Sequence, residues 1–355
     1  MKALVLSGGS GTRLRPFSHS MPKQLIPVAN KPVLEHVLAN IRDLGVIDVG
    51  VIVGDRAADI SEAVGDGTRS GVRITYLRQE RPLGLAHCVR LARDFLGDED
   101  FVMYLGDNML PAGINEVAED FAERRPAAHV VVHKVADPSA FGVVELDAAG
   151  RVERLVEKPR NPRSDLALIG VYFFTSAIHE AVAAIAPSPR GELEITDAIQ
   201  WLVARGTPVE ATQYGAYWKD VGRVEDVLEC NRVLLEGLES RISGAVDDAS
   251  VLKGPVVIEA GARVTRSLIE GPTIIGPSTV VEDSTVGPYT SLGGHCVLRD
   301  TRLDTSVALD GAVIAGVRGL SCSLIGRGAR VTPATRGLTE HRLIVGDHCR
   351  IEVAG

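Results

Sequence analysis

The sequence has no excess of basic residues and no closely spaced cysteine pair. Its 355 residues include 38 Lys and Arg against 46 Asp and Glu, a formal net charge of −8. This balance disfavours a protein that binds nucleic acid or an anionic membrane through bulk charge, so an anionic ligand must be bound by local groups. The five cysteines form no CxxC motif. Neither a zinc site nor a disulfide framework is indicated, and a reducing cytoplasm fits best.

Long hydrophobic runs are also absent. The N-terminal segment MKALVLSGGSG reaches glycine too early for the apolar region of a signal peptide. No apolar run approaches the roughly 20 residues of a membrane-spanning helix. We therefore expect a soluble, cytoplasmic protein. A composition of 45% hydrophobic and 24% charged residues excludes a disordered or fibrous chain, and the length suffices for two domains.

Up to about residue 220, short apolar runs alternate with segments of helical periodicity. This pattern predicts βαβ units and a mostly parallel sheet, that is, a Rossmann-like α/β domain. The predicted strands include Val5 and residues 51–53, 101–105 and 130–132. The predicted helices cover residues 32–44, 85–95, 114–124, 177–185 and 195–204, and residues 224–238 form one more.

From about residue 245, helical periodicity gives way to short aliphatic pairs separated by Gly, Pro, Ser and Thr. Aliphatic residues recur in steps of six, at Leu252, Ile258 and Val264 and then at Leu268, Ile274, Val280, Val286, Leu292 and Leu298. Hexapeptide periodicity predicts a parallel β-helix with these side chains stacked in its interior. A meandering β-sandwich is the alternative, but it would show two-residue alternation over longer strands. We expect one domain over 1–240 and a β-helix over 245–355, whose flat faces favour a homo-oligomer.

A glycine-rich loop follows the first predicted strand. In the sequence SGGSGTR, residues 7–13, three glycines would let backbone amides approach a phosphate closely. The dinucleotide-binding fingerprint is excluded because Leu14 stands at its third glycine, and the P-loop lysine is missing. A tight turn without a ligand would also use such glycines. Arg13 and Lys23 favour the phosphate, because two cations on one segment suit a polyphosphate chain.

The segments GGSGTRLRP and PKQLIPVANKP resemble the opening signature of the sugar nucleotidyltransferases. Lys-Gln-Leu within the second segment is similar to the glucose-1-phosphate thymidylyltransferases. The resemblance continues through LGDN at 105–108, FGVV at 141–144, EKP at 157–159, SPRGELEITD at 188–197 and WKDVG at 218–222. It implies a nucleotidyltransferase domain followed by a left-handed parallel β-helix, the long form of that family.

The resemblance also implies a reaction and a set of site residues. The reaction joins dTTP and α-D-glucose 1-phosphate to give dTDP-glucose and pyrophosphate, with Mg²⁺ and in-line attack at the α-phosphorus. The implied catalytic residues are Arg13, Lys23 and Asp107, and the implied metal ligands are Asp107 and Asp220. The implied nucleotide-binding residues are Leu6, Gly8, Gly9, Gly11, Thr12, Arg13, Gln79, Pro82, Gly84, Gly106 and Asp107. The implied sugar-phosphate residues are Asn108, Gly142, Glu157, Lys158, Val171 and Tyr172.

These roles have physical reasons. Asp107 follows a strongly apolar run, so it should lie where a buried strand ends, the ligand-binding edge of an open α/β sheet. A lone aspartate there is often a helix cap, but paired with Asp220 it can bind Mg²⁺, which takes few protein ligands beside phosphate oxygens and water. Gln79 carries both a donor and an acceptor, so with the Gly84 amide it can read a pyrimidine edge. The sugar phosphate is already a nucleophile, so the enzyme mainly supplies alignment and charge.

Several alternatives stay open at the level of sequence. The same reaction could use UTP, GTP or ATP, or another sugar or cyclitol 1-phosphate, and Pro82-Leu83 departs from the Pro-Asp that is common in the short form. A non-catalytic regulatory subunit that binds sugar nucleotide is a second class. It would have no chemical need for all four of Arg13, Lys23, Asp107 and Asp220. Arg190 and Glu194 are interpreted as structural residues that lock the turn before a helix, with a sugar contact by Glu194 as the alternative.

Overall fold

The computed structural model describes residues 1–9, 11–333 and 348. The chain divides into two compact units. One comprises Met1–Ser10 and Val33–Asp220, and the other comprises Gly11–Pro32 and Val221–Gly355. The predicted domain boundary at 240–245 falls between the last helix and the second strand of the C-terminal repeats, and it stays a prediction.

The first unit is built around a nine-stranded sheet. In chain order, the strands up to residue 220 are β1 (Lys2–Ser7), β2 (Pro27–Val28), β3 (Lys31–Pro32), β4 (Asp48–Val53), β5 (Arg73–Arg78), β6 (Phe101–Leu105), β7 (Asn108–Met109), β8 (Ala128–Lys134), β9 (Gly142–Leu146), β10 (Val152–Glu157), β11 (Leu166–Phe174), β12 (Val209–Gln213) and β13 (Lys219–Asp220). Of these, β2 and β3 pair with each other in the second unit, and β7 and β13 form a separate pair outside the nine-stranded sheet. The sheet has the order β10-β9-β11-β6-β1-β4-β5, and β8 pairs with β11 and β12. Strands β6, β1, β4 and β5 are parallel, whereas β11 runs antiparallel to β6 and β8.

Nine α-helices lie within the described part of the chain. They are α1 (Phe17–Ser20), α2 (Val33–Asp43), α3 (Ala57–Val64), α4 (Leu85–Leu91), α5 (Arg93–Leu96), α6 (Asn115–Arg124), α7 (Ile178–Ala184), α8 (Ile195–Ala204) and α9 (Val224–Glu236). The predicted helical segment 85–95 is helical but divided in two, because Ala92, with ψ at 4°, leaves helical geometry and separates α4 from α5. The other predicted helices are confirmed within a few residues. No described helix has the length and apolarity needed to span a bilayer.

The core of the first unit lies between the sheet and α4, α7 and α8. Leu4 and Leu6 of β1 pack on this face with Ala86 and Val89 of α4 and with Ile199 of α8. Alternate strand residues point to opposite faces of the sheet, and β1 is buried along nearly its whole length. A parallel strand covered on both sides therefore appears in the sequence as the unbroken apolar run ALVL.

The second unit contains the N-terminal segment 11–32, helix α9 and the C-terminal repeats. The repeat strands are β14 (Arg241–Ile242), β15 (Ala245–Val246), β16 (Val251–Lys253), β17 (Val256–Ile258), β18 (Arg263–Thr265), β19 (Leu268–Glu270), β20 (Thr273–Ile275), β21 (Val280–Glu282), β22 (Thr285–Val286), β23 (Thr290–Leu292), β24 (Val297–Arg299), β25 (Arg302–Asp304), β26 (Val307–Ala308), β27 (Val313–Ala315), β28 (Leu320–Ser321), β29 (Leu324–Ile325) and β30 (Arg330–Val331). Every third strand belongs to the same parallel sheet, giving three sheets of six, six and five strands. This arrangement confirms a parallel β-helix.

The strict six-residue interior stack is wrong. Val264 pairs with Val281 and Val281 with Leu298, so these coils are 17 residues apart, with two steps of six and one of five. Other coils are a residue shorter or longer, since Leu298 pairs with Ile314 and Val246 with Val264. The fully buried interior therefore includes Ile269 and Val281, whereas Leu268 and Val280 are only half-buried. The predicted series in steps of six includes outward-facing residues, because several strands carry aliphatic side chains on both faces.

Ile274 also faces outward from the β-helix. It packs with Val257 against Leu235 of α9, so this sheet face is covered by the helix. The remaining members of the predicted series, Val286, Leu292 and Leu298 with the earlier Ile258 and Val264, are fully buried in the interior. Leu252 is partly buried against the same cluster.

Candidate active site

Strand pairing places Asp220 opposite the residue that follows Asp107, just beyond the end of β6. Strand β6 ends at Leu105, and the chain turns through Gly106 and Asp107 into β7. Strand β13 pairs antiparallel with β7, so that Asp220 lies opposite Asn108. The prediction that Asp107 and Asp220 lie near each other is therefore consistent with the pairing of β13 and β7, at the carboxyl end of the central strand β6.

A chain of hydrogen bonds fixes the Asp107 side chain. Asn108 Nδ2 donates to Asp107 Oδ1 at 3.0 Å, and Trp218 Nε1 donates to Asn108 Oδ1 at 2.7 Å. The Trp218 ring contacts Phe141 edge-on and the His133 ring at a tilt. Asp107 and Asn108 are both buried. Because each member is held by the next, the carboxylate is oriented before any ligand binds.

The donor set at this edge fits a hard divalent cation. Asp107 and Asp220 supply carboxylate oxygens, the ligand type that Mg²⁺ prefers. Within the described ranges no group of three or more His, Cys, Asp or Glu side chains could hold a metal. A cation bound by two carboxylates would thus take its remaining ligands from phosphate oxygens and water, as Mg²⁺ does in phosphoryl-transfer sites.

Glu157 ends β10 beside the glycine that begins β9. Its Oε2 accepts from Thr196 Oγ1 at 3.3 Å, and its Oε1 lies 3.3 Å from Arg190 Nη1. A Cβ at Gly142 would lie 2.8 Å from the Thr196 Cγ2 methyl and 3.2 Å from Glu157 Oε2. Gly142 therefore provides the space in which the Glu157 carboxylate sits.

Lys158, the next residue, has left-handed backbone geometry with φ at 41°. Its amide donates to the Phe141 carbonyl at 2.9 Å, and its Nζ is 3.6 Å from Glu157 Oε1. Non-glycine residues in this region are uncommon and concentrate at functional sites. The Lys158 side chain is 42% exposed.

Arg190 and Glu194 lock the turn that precedes α8, as expected. Glu194 is buried, and its Oε1 accepts from Ser188 Oγ at 2.9 Å and from Arg190 Nη1 at 3.2 Å. Burial raises the pKa of the Glu194 carboxyl. The same Arg190 guanidinium reaches Glu157, so it connects this turn to the predicted sugar-phosphate residues.

Val171 and Tyr172 lie on β11, next to a bulge at Gly170. Val171 is completely buried, and Tyr172 stacks on Phe174 with ring centres 6.0 Å apart. Burial, and then the charge of Glu157, raise the pKa of Tyr172. Gly170, with φ at 74°, lets β11 pass beneath Asn108, because a Cβ there would lie 3.0 Å from Asn108 Nδ2. The Val171 side chain is in the core, so only its main chain is available to a ligand.

The predicted base-recognition residues Gln79, Pro82 and Gly84 lie in a segment that is hydrogen-bonded to Leu193, just before α8. Leu193 donates its amide to the Leu83 carbonyl at 2.8 Å, and Ala86 donates to the Leu193 carbonyl at 3.0 Å. A Cβ at Gly84 would lie 2.3 Å from the Leu193 carbonyl oxygen. Gly84 has φ at 100°, outside the range of other residues. Gln79 and Gly84 are in contact, since Gln79 Nε2 lies 3.4 Å from the Gly84 carbonyl oxygen, while Pro82 is exposed between them.

The first predicted nucleotide-binding residues follow β1. Leu6 packs in the core, and its carbonyl accepts from the Gly106 amide at 2.9 Å, which joins this strand end to the turn that carries Asp107. Gly8 is partly exposed, and Gly9 has φ at 104° and is exposed. These backbone groups are accessible to a phosphate.

Gly11, Thr12, Arg13 and Lys23 belong to the second compact unit. Gly11 has φ at 59° and begins a 3₁₀ turn over Thr12–Leu14. A Cβ at Gly11 would lie 3.2 Å from Lys23 Cβ, so the loop packs closely against the lysine stem. A Cβ at Gly222 would lie 3.1 Å from Arg13 Nη2. Thr12 and Arg13 are exposed, and Lys23 is half-buried.

Sequence reasoning missed four residues that contact the predicted site. Thr196 binds Glu157, Trp218 binds Asn108, Gly170 makes room for Asn108, and His87 contacts Gln79. Trp218 and Thr196 lie inside motifs that the resemblance already marked, so their position was an available signal. Gly170 and His87 carry no signal in the sequence, because their roles depend on distances between separate elements.

The chain is similar to known proteins over most or all of its length. Residues 2–237 match the family model described as nucleotidyl transferase. The chain is 53% identical over 354 residues to a glucose-1-phosphate thymidylyltransferase of Streptomyces griseus, covering 100% of both chains. It is 54% identical to a protein of the same name from Streptomyces antibioticus, covering 99% of both. A Bacillus anthracis structure assigned as that enzyme and solved with sucrose aligns with a TM-score of 0.62 and 32% identity, over 66% of this chain and 94% of the other. This chain belongs to the nucleotidyl transferase family.

Proposed function

We propose that the protein joins dTTP and α-D-glucose 1-phosphate to form dTDP-glucose and pyrophosphate. The observation that carries the proposal is the Asp107–Asn108–Trp218 chain with Asp220 opposite Asn108, in a protein similar over its whole length to two glucose-1-phosphate thymidylyltransferases. An oxygen of the sugar phosphate forms a bond to the α-phosphorus of dTTP. The bond from that phosphorus to the bridging oxygen of the β-phosphate breaks, and pyrophosphate leaves.

We propose Mg²⁺ as the cation, with Asp107 and Asp220 as its protein ligands. Enzymes of this family generally use a divalent metal, and two carboxylates suit Mg²⁺. When bound, the ion would neutralise negative charge on the phosphate groups at which one bond forms and the other breaks. The protein's own contribution is orientation, because Asn108 and Trp218 fix the Asp107 carboxylate before the phosphates arrive.

The sugar phosphate would bind between β9, β10 and the turn before α8. We assign its hydroxyl groups to the Glu157 carboxylate, the Gly142 backbone and Asn108, and its phosphate to the Lys158 ammonium. Thr196 contacts Glu157 Oε2 and Arg190 contacts Glu157 Oε1, so the carboxylate is fixed in orientation. A fixed acceptor discriminates among sugar epimers, because a hydroxyl of the wrong configuration leaves a buried polar group without a partner.

The nucleotide would bind through three sets of residues. We assign the base to Gln79, Pro82 and Gly84, and the phosphates to the backbone at Gly8, Gly9 and Gly11. Thr12, Arg13 and Lys23 would supply side-chain donors to the triphosphate, and the cations would stabilise the charge on departing pyrophosphate. No protein nucleophile is required, since the attacking oxygen already carries negative charge.

We further propose that the β-helix mediates assembly of copies of this chain into a homo-oligomer. Its parallel sheets present flat faces, and one of them carries Val280, Val297 and Val313 in register on its outer surface. An enzyme whose substrates are small molecules has no catalytic need for such a domain. Assembly is therefore the role that the repeat architecture supports best.

Product identification tests the proposed reaction directly. The purified full-length chain would be incubated with Mg²⁺, dTTP and glucose 1-phosphate labelled with ¹³C in the sugar, and the products separated by anion exchange and weighed by mass spectrometry. The proposal predicts dTDP-glucose that carries the label, with one pyrophosphate released for each molecule. Binding of dTDP-glucose without any turnover would instead assign the chain as a regulatory subunit.

A further inference from the structure

The side-chain amide of Gln79 is held at its nitrogen end by two acceptors. Gln79 Nε2 lies 2.9 Å from Nδ1 of His87, in the first turn of α4, and 3.4 Å from the Gly84 carbonyl oxygen. A carbonyl oxygen can only accept a hydrogen bond, so the amide must present its NH₂ group to Gly84. The same NH₂ group then donates to His87, and His87 Nδ1 must be the unprotonated ring nitrogen.

The surroundings of His87 favour this neutral form. Burial lowers the pKa of His87, and the positive charges of Arg90 and Arg81 lower it further. Near neutral pH the imidazole thus carries its single proton on Nε2 and offers Nδ1 as an acceptor. Without that acceptor, only the longer contact with Gly84 would distinguish the two orientations of the Gln79 amide.

The orientation of the amide decides which hydrogen bond it offers to a base. With both Nε2 hydrogens directed at His87 and Gly84, the end of the amide left to bind a ligand is the acceptor Oε1. Thymine and uracil carry a hydrogen-bond donor at N3, whereas cytosine carries an acceptor there. An Oε1 facing the base therefore pairs with the imide N3–H of thymine or uracil and opposes the lone pair of cytosine N3.

We infer that His87 is a specificity-positioning residue, which fixes the Gln79 amide so that the site selects imide-bearing pyrimidines over cytosine. The inference rests on the proposed function in placing the base at Gln79. It goes beyond that function by assigning to a residue of α4, which does not itself touch the base, the choice between two classes of pyrimidine. His87→Ala would free the amide to rotate and pair with either class.

The test compares dUTP with dCTP, which differ only at ring positions 3 and 4, in the wild-type chain and two variants. His87→Asn retains an acceptor, its Oδ1, at the place of Nδ1, whereas His87→Ala removes it. Dissociation constants would be measured by calorimetry, and kcat and KM would be measured with glucose 1-phosphate. Thermal unfolding would report whether each variant folds.

We expect the wild-type preference for dUTP over dCTP to fall on the order of tenfold in His87→Ala, because one buried donor–acceptor match is lost. The change should appear in KM and in the dissociation constants, with kcat for dUTP nearly unchanged. His87→Asn should retain the preference within about twofold. If His87 had a merely structural role, His87→Ala would weaken the binding of dUTP and dCTP equally. His87→Asn would then not restore the preference for dUTP.

The outcomes separate this inference from the proposed function. Equal losses for dUTP and dCTP, or a His87→Asn variant as unselective as His87→Ala, would overturn the role of His87 while leaving the reaction intact. A wild-type chain that binds the two nucleotides equally would overturn it as well. A wild-type chain that prefers dUTP in calorimetry but forms no sugar nucleotide would refute the proposed reaction, and the variants would still test His87 through binding alone.

Discussion

Gly84 shows at the scale of one residue how a missing side chain shapes the site. A Cβ at this position would lie 2.3 Å from the Leu193 carbonyl oxygen, and the backbone has φ at 100°. Gly113 also has positive φ, at 76°, but nothing lies within 4 Å of a Cβ there. An alanine at Gly113 would therefore cause backbone strain alone, whereas an alanine at Gly84 would cause backbone strain and a steric collision.

Gly84→Ala should lower the free energy of unfolding by more than Gly113→Ala, which carries mainly the backbone strain of about 1–2 kcal/mol. The collision should also shift the base-recognition segment and raise KM for the nucleotide, because Gly84 packs between Gln79 and Leu193. Chemical denaturation and steady-state kinetics measure the two effects. Equal stability of the two variants, with unchanged KM, would contradict the close packing of this segment.

His129 is a titratable residue that the proposed reaction does not use. It is completely buried on β8, with Nε2 2.8 Å from Thr212 Oγ1. Burial, with a further contribution from Arg124, lowers the pKa of His129 to about 4. In the unfolded chain a histidine titrates near 6.5, so below that pH the unfolded state binds more protons than the folded state.

The protein should therefore lose stability as the pH falls from about 6.5 to 4, and His129 should contribute up to roughly 3 kcal/mol of this loss. His129→Gln, which cannot be protonated in this range, should show a shallower decline. Unfolding free energies measured between pH 7 and pH 4 would compare the two chains. Parallel curves for wild type and variant would contradict a buried, neutral His129.

At the scale of elements, Asn231 of α9 connects a short hairpin to the β-helix within the second unit. Its Oδ1 accepts from the Ala29 amide at 3.0 Å and from Ser291 Oγ at 2.8 Å, and its Nδ2 donates to the Tyr289 carbonyl at 3.0 Å. Ala29 and Asn30, at the tip of the β2–β3 hairpin, both have positive φ, as a type I′ turn requires. The hairpin that follows Lys23 is thus anchored on the repeat domain.

Asn231→Ala should lower the free energy of unfolding by about 3 kcal/mol, because it leaves three polar partners that are buried or partly buried without their hydrogen bonds. Arg232→Ala, at the next and exposed position of α9, removes only a surface ion pair with Glu236 and should cost less than about 1 kcal/mol. Differential scanning calorimetry would rank the two variants. A smaller loss in Asn231→Ala than in Arg232→Ala would contradict the anchoring role.

Elements with a strong local pattern could be predicted from the sequence. The apolar run of β6 and the amphipathic period of α2 and α9 identify those elements without tertiary information. Helix α3 and strand β5 were not predicted, since α3 spans two turns and β5 is only half-buried. The sequence of the β-helix predicts a pure hexapeptide repeat instead of the observed coil. The reason is that Leu268-Ile269 and Val280-Val281 each place aliphatic residues on both faces of a strand.

The candidate site divides in the same way. The position of Asp107 at the sheet edge could be predicted because it follows a buried strand, and Asp220 lies within a motif that the resemblance identified. The contact between His87 and Gln79 could not be predicted, because it depends on the path of residues 80–84 and on their attachment to Leu193. Sequence patterns encode burial and local geometry. They do not encode the distance between two polar side chains on separate elements.

At the scale of the whole molecule, the β-helix is expected both to assemble the protein and to support its N-terminal segment. A chain truncated after Glu239 would lose the sheet on which the β2–β3 hairpin is anchored, including the bond from Asn30 Nδ2 to the Leu292 carbonyl. We expect fewer copies of the chain per particle in light scattering than the full chain forms, and a lower melting temperature. An unchanged association state would reject the assembly role, and unchanged thermal stability would reject the anchoring role.

We expect this chain to transfer a thymidylyl group to glucose 1-phosphate with the help of Asp107. The most direct measurement of this transfer is the rate of pyrophosphate release with Mg²⁺ and glucose 1-phosphate, across dTTP, UTP, GTP, ATP and CTP, for the wild-type chain and Asp107→Asn. We predict the highest kcat/KM with dTTP, and a fall of at least about a hundredfold in the variant at little cost in folding stability. A higher kcat/KM with another nucleotide would contradict the proposed use of dTTP, and near-normal turnover by Asp107→Asn would contradict the role of Asp107.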